Sequence, residues 1–92
     1  MARALITIKI MPEGTETDLD GLLDEAKNVL KENECEFLKS EKESVAFGLT
    51  ALIIIFAMDE NRANELDKIE GQVSNLNGIN SVNVEDVRRA FG

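Results

Sequence analysis

The chain has 92 residues, a length that suits one domain over 1–92 and leaves little room to enclose a deep substrate cavity. Ten basic residues against eighteen acidic ones give a net charge of −8. That sign repels a phosphate backbone, speaks against nucleic-acid binding, and favours a protein partner with a basic surface. With no histidine and a single cysteine, Cys35, the chain lacks the commonest general base and transition-metal ligand and cannot form an internal disulfide, so a reducing, cytoplasmic setting is expected.

The hydrophobic content of 43% is that of a folded domain. The longest apolar stretch, Leu49 to Met58, is too short to cross a bilayer and reads as a buried strand. The N-terminus has no basic-then-apolar signal pattern, and no membrane association is expected.

Taken in order, Ala4, Ile6, Ile8 and Ile10 alternate with Arg3, Leu5, Thr7 and Lys9, which predicts a first strand ended by Pro12, Glu13 and Gly14. Thr17 is placed to cap the next helix, with Asp18 and Asp20 in its first turn. Leu19, Leu22, Leu23, Ala26, Val29 and Leu30 then recur at helical spacing. A weaker strand is predicted over 35–41 around Phe37 and Leu38, a polar loop over 41–44, and a long strand from Val45 to Met58, apolar on both faces and so central. A second helix starts at 59–61 with a stripe of Ala63, Leu66, Ile69, Val73 and Leu76, is weakened by Gly71 and stops at Gly78. A short last strand carries Val82 and Val84 and ends near Val87. The order β-α-β-β-α-β, with one apolar stripe per helix, predicts an α+β, ferredoxin-like sandwich. Its four-stranded antiparallel sheet would carry both helices on one face, with the first and third strands central.

Catalytic groups are scarce. Cys35 has no histidine to activate it, and as a lone cysteine it fits a small buried hydrophobe. Glu13, Glu16, Asp18, Asp20, Asp24 and Glu25 read either as a divalent-cation site or as a solvated face with helix-start charges. Their spacing matches no calcium loop. Gly48, Gly71 and Gly78 are scattered, with no lysine in a phosphate-loop pattern, and no Tyr or Trp is available for stacking bases. No cofactor, metal or catalytic residue is expected. Two segments stand out. In Val45-Ala46-Phe47-Gly48-Leu49, the Phe beside a permissive Gly either starts the central strand in the core or projects from a hairpin tip. In Asp86-Val87-Arg88-Arg89-Ala90-Phe91, the paired arginines are either a solvated tail or a local cationic tip for a phosphate or carboxylate.

Together with Ile8-Lys9-Ile10-Met11-Pro12-Glu13 and Val84-Glu85-Asp86-Val87-Arg88-Arg89, the Phe47 segment resembles, in order and across essentially the whole chain, the archaeal members of the translation elongation factor one beta family. These are guanine-nucleotide exchange factors for the GTPase that delivers aminoacyl-tRNA to the ribosome, elongation factor one alpha. The resemblance implies the same ferredoxin-like fold, release of GDP without covalent chemistry, and a stand-alone form of the domain that eukaryotic relatives carry at the end of a longer chain. It implies partner-binding residues Val45, Ala46, Phe47, Gly48, Leu49, Arg88 and Arg89, with Phe47 inserted into the partner. The resemblance also implies that the Phe47 loop and the C-terminal segment act together at one end of the domain. Eukaryotic relatives place a lysine at the partner's magnesium site, where this chain has arginines. A small regulatory or metabolite-binding module is the alternative, but it needs a glycine-rich pocket at a helix start, which the sequence does not suggest. The oligomeric state is left open.

Overall fold

Isoleucine at alternate positions is stiff at χ1 and favours extended backbone, and a sheet with one such face must bury it. In the computed structural model, which describes residues 2–90, strands β1 (Arg3–Pro12) and β3 (Thr50–Asp59) meet this demand as the two central strands. They pair antiparallel, with Ile6 opposite Phe56 and Ile8 opposite Ile54. Strand β2 (Glu36–Ser44) pairs with the free side of β3, and β4 (Ile79–Ala90) with that of β1, giving the order β2-β3-β1-β4, antiparallel throughout.

Helices α1 (Leu19–Glu32) and α2 (Leu66–Ser74) cover one face of the sheet. Ala4, Ile6, Ile8 and Ile10 of β1 and Leu52, Ile54, Phe56 and Met58 of β3 form one core with Leu22, Ala26 and Leu30 of α1 and Ile69 and Val73 of α2. Each large side chain fully buried there contributes roughly 1.5–3 kcal/mol relative to exposure. Asn33, buried at the end of α1, donates from Nδ2 to the Val29 carbonyl and, at 2.7 Å, to Gln72 Oε1 of α2, so the one buried polar residue among those described fastens the helices together. No helix among the described residues is long and apolar enough to cross a membrane.

Several boundaries differ from the sequence reading. Asp18, not Thr17, is the N-cap of α1: its Oδ1 accepts from the Gly21 amide at 3.1 Å, while Thr17 Oγ1 accepts from Gly14 in the preceding loop. A Cβ on Gly21 would lie 2.6 Å from Asp18 Oδ2, so a larger residue there would make the capping side chain shift. Residues 41–44 are strand rather than loop, because β2 is an edge and its charged side chains stay in water on either side while its backbone pairs with β3. Strand β3 therefore begins at Thr50, not Val45. The second helix starts as a 3-10 segment, Glu60–Glu65, capped by Asp59, and Ala63 is exposed rather than in the stripe. Gly78, at φ +92°, lies past the Asn75 cap in the turn into β4, where its carbonyl accepts from Glu13 N at 2.9 Å. Strand β4 extends over Ile79–Ala90, beyond the expected Val87.

Helix α1 ends in a Schellman motif: the Cys35 amide donates to Leu30 O and that of Glu34 to Lys31 O. Glu34 consequently sits at φ +59°, in the left-handed region that glycine adopts without strain. Glu34→Gly is expected to stabilise the fold by ~0.5–1 kcal/mol and raise Tm by several degrees in a thermal melt followed by circular dichroism.

Candidate partner-binding site

The hairpin between β2 and β3 is held by two backbone bonds, Val45 N to Leu49 O at 2.9 Å and Leu49 N to Ala46 O at 3.3 Å. Between them Phe47 (φ +61°, ψ +30°) and Gly48 (φ +75°) both take left-handed backbone. Glycine does so without penalty, whereas for a bulky residue the conformation costs about 1–2 kcal/mol. The result is a Phe47 side chain that is 95% exposed, so the core reading of this residue is overturned and the projecting one holds. The other described phenylalanines are covered: Phe56 is fully buried, and Lys27 Nζ lies 4.5 Å from the centroid of the Phe37 ring. A Cβ on Gly48 would rest 3.7 Å from Thr15 Cγ2, so the β1–α1 loop lies directly behind the prong, with exposed Glu13 and Glu16 on either side of Thr15.

The arginines lie elsewhere. Arg88 is opposite Leu5 and Arg89 opposite Ala4, near the start of β1, whereas the hairpin adjoins the end of β1, where Ile10 faces Leu52. The step from Leu5 to Ile10 alone spans roughly 17 Å at about 3.4 Å per residue, and the hairpin lies beyond it in a molecule 41 Å long. The expectation that Phe47 and the C-terminal arginines share one end is therefore corrected. Strand β4 runs antiparallel to β1 and carries them away from the hairpin. Nor are the arginines isolated. Arg88 Nε donates to Asp86 Oδ2 at 2.7 Å, and Arg89 Nη2 donates to Glu60 in the 3-10 segment. Phe91 and Gly92, part of the C-terminal motif, lie outside the described residues.

The sheet face opposite the helices is strapped by ion pairs. Arg3 of β1 reaches Glu36 of β2, and Lys9 Nζ of β1 lies 3.8 Å from Glu43 of β2, each crossing over β3. The crossings fall near Ala57 and Ala51, whose small side chains are fully buried on this otherwise open face. Long charged side chains with apolar stems cover apolar surface in this way. Between the straps, Leu5, Thr7, Ile55, Asp86 and Arg88 line a shallow cavity of about 280 Å³.

A larger cleft of about 510 Å³ lies beside the start of α1, bordered by Thr17, Asp18, Gly21, Leu22 and Gly78 among others. A helix-start pocket with glycines therefore exists, contrary to the sequence reading. Its amide at Gly21 is already taken by Asp18, and Asp24 and Glu25 add negative charge, so the cleft repels an anionic effector. No group of three His, Cys, Asp or Glu side chains among the described residues is gathered to hold a metal ion. Cys35 is half-buried, and burial raises its thiol pKa; Arg62 opposes this and Glu65 adds to it. Glu65 is held below the usual carboxylate range by its two-point pairing with Arg62, at 3.0 and 3.1 Å.

The strand order, with two helices on one face, defines a ferredoxin-like α+β fold. Solved structures agree. The C-terminal domain of the MgtC protein from Mycobacterium tuberculosis superposes with a TM-score of 0.66 at 10% identity, covering 96% of this chain and 87% of that one. The ACT domain of GTP pyrophosphokinase from Chlorobium tepidum gives 0.60 at 12% identity, covering 87% and 95%. Within that fold the chain belongs to the EF-1 guanine nucleotide exchange domain family, whose model matches residues 5–90. Elongation factor 1-beta of Metallosphaera sedula is 32% identical over 97% of either chain. The protein of the same name from Sulfolobus acidocaldarius is 36% identical over 85 residues, which is 92% of this chain and 93% of that one. The family is one of exchange factors of translation elongation rather than of catalytic enzymes.

A raised thiol pKa and partial burial leave little reactive thiolate at neutral pH. Alkylation of Cys35 by iodoacetamide at pH 7.5, followed by mass spectrometry, is expected to be at least several-fold slower in the folded protein than in guanidinium-unfolded chain.

Proposed function

We propose that the chain is the guanine-nucleotide exchange factor that promotes GDP release from the aminoacyl-tRNA-delivering GTPase, elongation factor one alpha, so that GTP can enter. The observation that carries this reading is Phe47, an almost fully exposed aromatic side chain held in left-handed backbone at the tip of a closed hairpin, in a chain of the exchange-domain family. An apolar prong kept in water at a conformational cost is explained by a pocket on another protein.

An exchange factor makes and breaks no bonds. It binds the nucleotide-free GTPase more tightly than the nucleotide-bound form, and by linkage the nucleotide is then bound more weakly by the same factor. A thousandfold faster release needs only ~4 kcal/mol off the barrier. Since the prong and the arginines stand at opposite ends of the sheet, they cannot both enter one metal site. In this proposal Val45, Ala46, Phe47, Gly48 and Leu49 form the anchor on one part of the GTPase. The end of β4 then faces the phosphate and magnesium region, where one cation of the adjacent pair Arg88 and Arg89 substitutes for the metal's charge. The acids beside Thr15 fit this orientation, since they would be repelled by the nucleotide's phosphates.

Release of a fluorescent GDP analogue from the partner GTPase tests the reading. Wild type should accelerate release, and Phe47→Ala, which removes no intramolecular core contact, should be slower by at least about tenfold with Tm unchanged. A folded Phe47→Ala protein that exchanges as fast as wild type would sink the anchor role.

A further inference from the structure

Arg88 and Arg89 are adjacent in sequence, yet the pleat sends them to opposite faces of the sheet, and their ion pairs are of different kinds. Arg89 crosses to Glu60, 29 residues away in the chain, whose side chain is only 28% exposed. The same Glu60 donates its amide to Ala2 O at 3.4 Å. The Arg89 contact thus ties the end of β4 to the 3-10 segment that leads into α2, beside the start of β1. It is a long-range clamp.

Arg88 lies on the strapped face and pairs with Asp86, two residues back on the same side of the same strand. A pair this local adds little to stability, because it joins no distant parts of the chain. What it does is fix a direction. The bond uses Nε alone, so among the described residues the outward fork of Nη1 and Nη2 is left unengaged, on a side chain that is 77% exposed. Leu5, Thr7 and Ile55 line the shallow cavity beside it, and Asp86 borders the same cavity. Arg88 itself borders this cavity, so its fork stands at the rim, open to solvent and to a partner. The fork suits a two-oxygen anionic group, carboxylate or phosphate.

We infer that Arg88 is the cation that meets an anionic group of the GTPase, that Asp86 is the positioning residue that aims it, and that Arg89 is a structural clamp. This rests on the exchange reading above. It adds Asp86 to the working residues and separates two arginines that the sequence treats alike.

Exchange assays and thermal melts on Arg88→Ala, Arg89→Ala, Asp86→Asn, Asp86→Glu and Phe47→Ala, with release rate measured against exchange-factor concentration, test it. Arg88→Ala should slow release about tenfold with Tm unchanged. Asp86→Asn should raise the half-saturating concentration several-fold while leaving the saturated rate and Tm near wild type, and Asp86→Glu should recover part of the loss. Arg89→Ala should lower Tm by a few degrees and, well below its melt, slow release several-fold less than Arg88→Ala does. The assignment is overturned if Arg89→Ala slows release while Arg88→Ala does not, or if Asp86→Asn matches wild type at every concentration. If Phe47→Ala is slow but Arg88→Ala is not, the inference fails and the exchange reading stands. A wild-type protein that leaves GDP release unchanged overturns both.

Discussion

The antiparallel pairing of β1 with β3, with Ile6, Ile8, Ile10, Ile54 and Phe56 beneath two helices, is the constraint from which the other features follow. It places the most apolar strands in the middle, where both backbone edges are paired. The poorer strands β2 and β4 then go to the edges, where charged side chains such as Lys39, Glu41 and Lys42 remain hydrated. It also determines direction. A connection from β2 into β3 must turn at the end where β1 finishes, and β4, antiparallel to β1, must finish where β1 began.

That geometry separates the two functional candidates. Phe47 rides on the turn at one end, and Arg88 and Arg89 ride on the last residues of β4 at the other. A single insertion carrying both Phe47 and the arginines is therefore excluded by register alone, and the grip proposed above is at two separated places. The strapped sheet face lies between them. Its two alanines in β3, Ala51 and Ala57, let Lys9 and Arg3 stretch across to β2, so the exposed centre of the sheet is narrowed to the region around Leu5, Thr7 and Ile55. The cleft at the start of α1, with its Gly21 amide taken by Asp18, is unsuited to an anionic metabolite.

Two residues hold unfavourable backbone for different reasons. Glu34 is left-handed because the Schellman end of α1 requires it, and a glycine there would serve the fold better. Phe47 is left-handed and also exposed, so neither core packing nor helix termination accounts for it. Strain in the first case belongs to the turn out of a helix. In the second it turns an apolar ring toward water, which is the signature expected of a contact made with another molecule.

The sequence by itself determined the element order, the identity of the central strands, both helix stripes apart from Ala63, and the absence of histidine chemistry. These depend on periods of two and 3.6 and on composition, which are local properties. It also carried the motifs by which the family is recognised. Only the tertiary structure decided that residues 41–44 are strand, since an edge strand takes its hydrogen bonds from β3 rather than from its own pattern. It alone turned Phe47 outward, because the choice between core and tip depends on two left-handed residues that composition leaves open. It alone gave Arg88 and Arg89 different partners, Asp86 and Glu60, which sit 2 and 29 residues away in the chain. Long-range register and side-chain pairing are global consequences of packing, and no local pattern in 92 residues encodes them one by one.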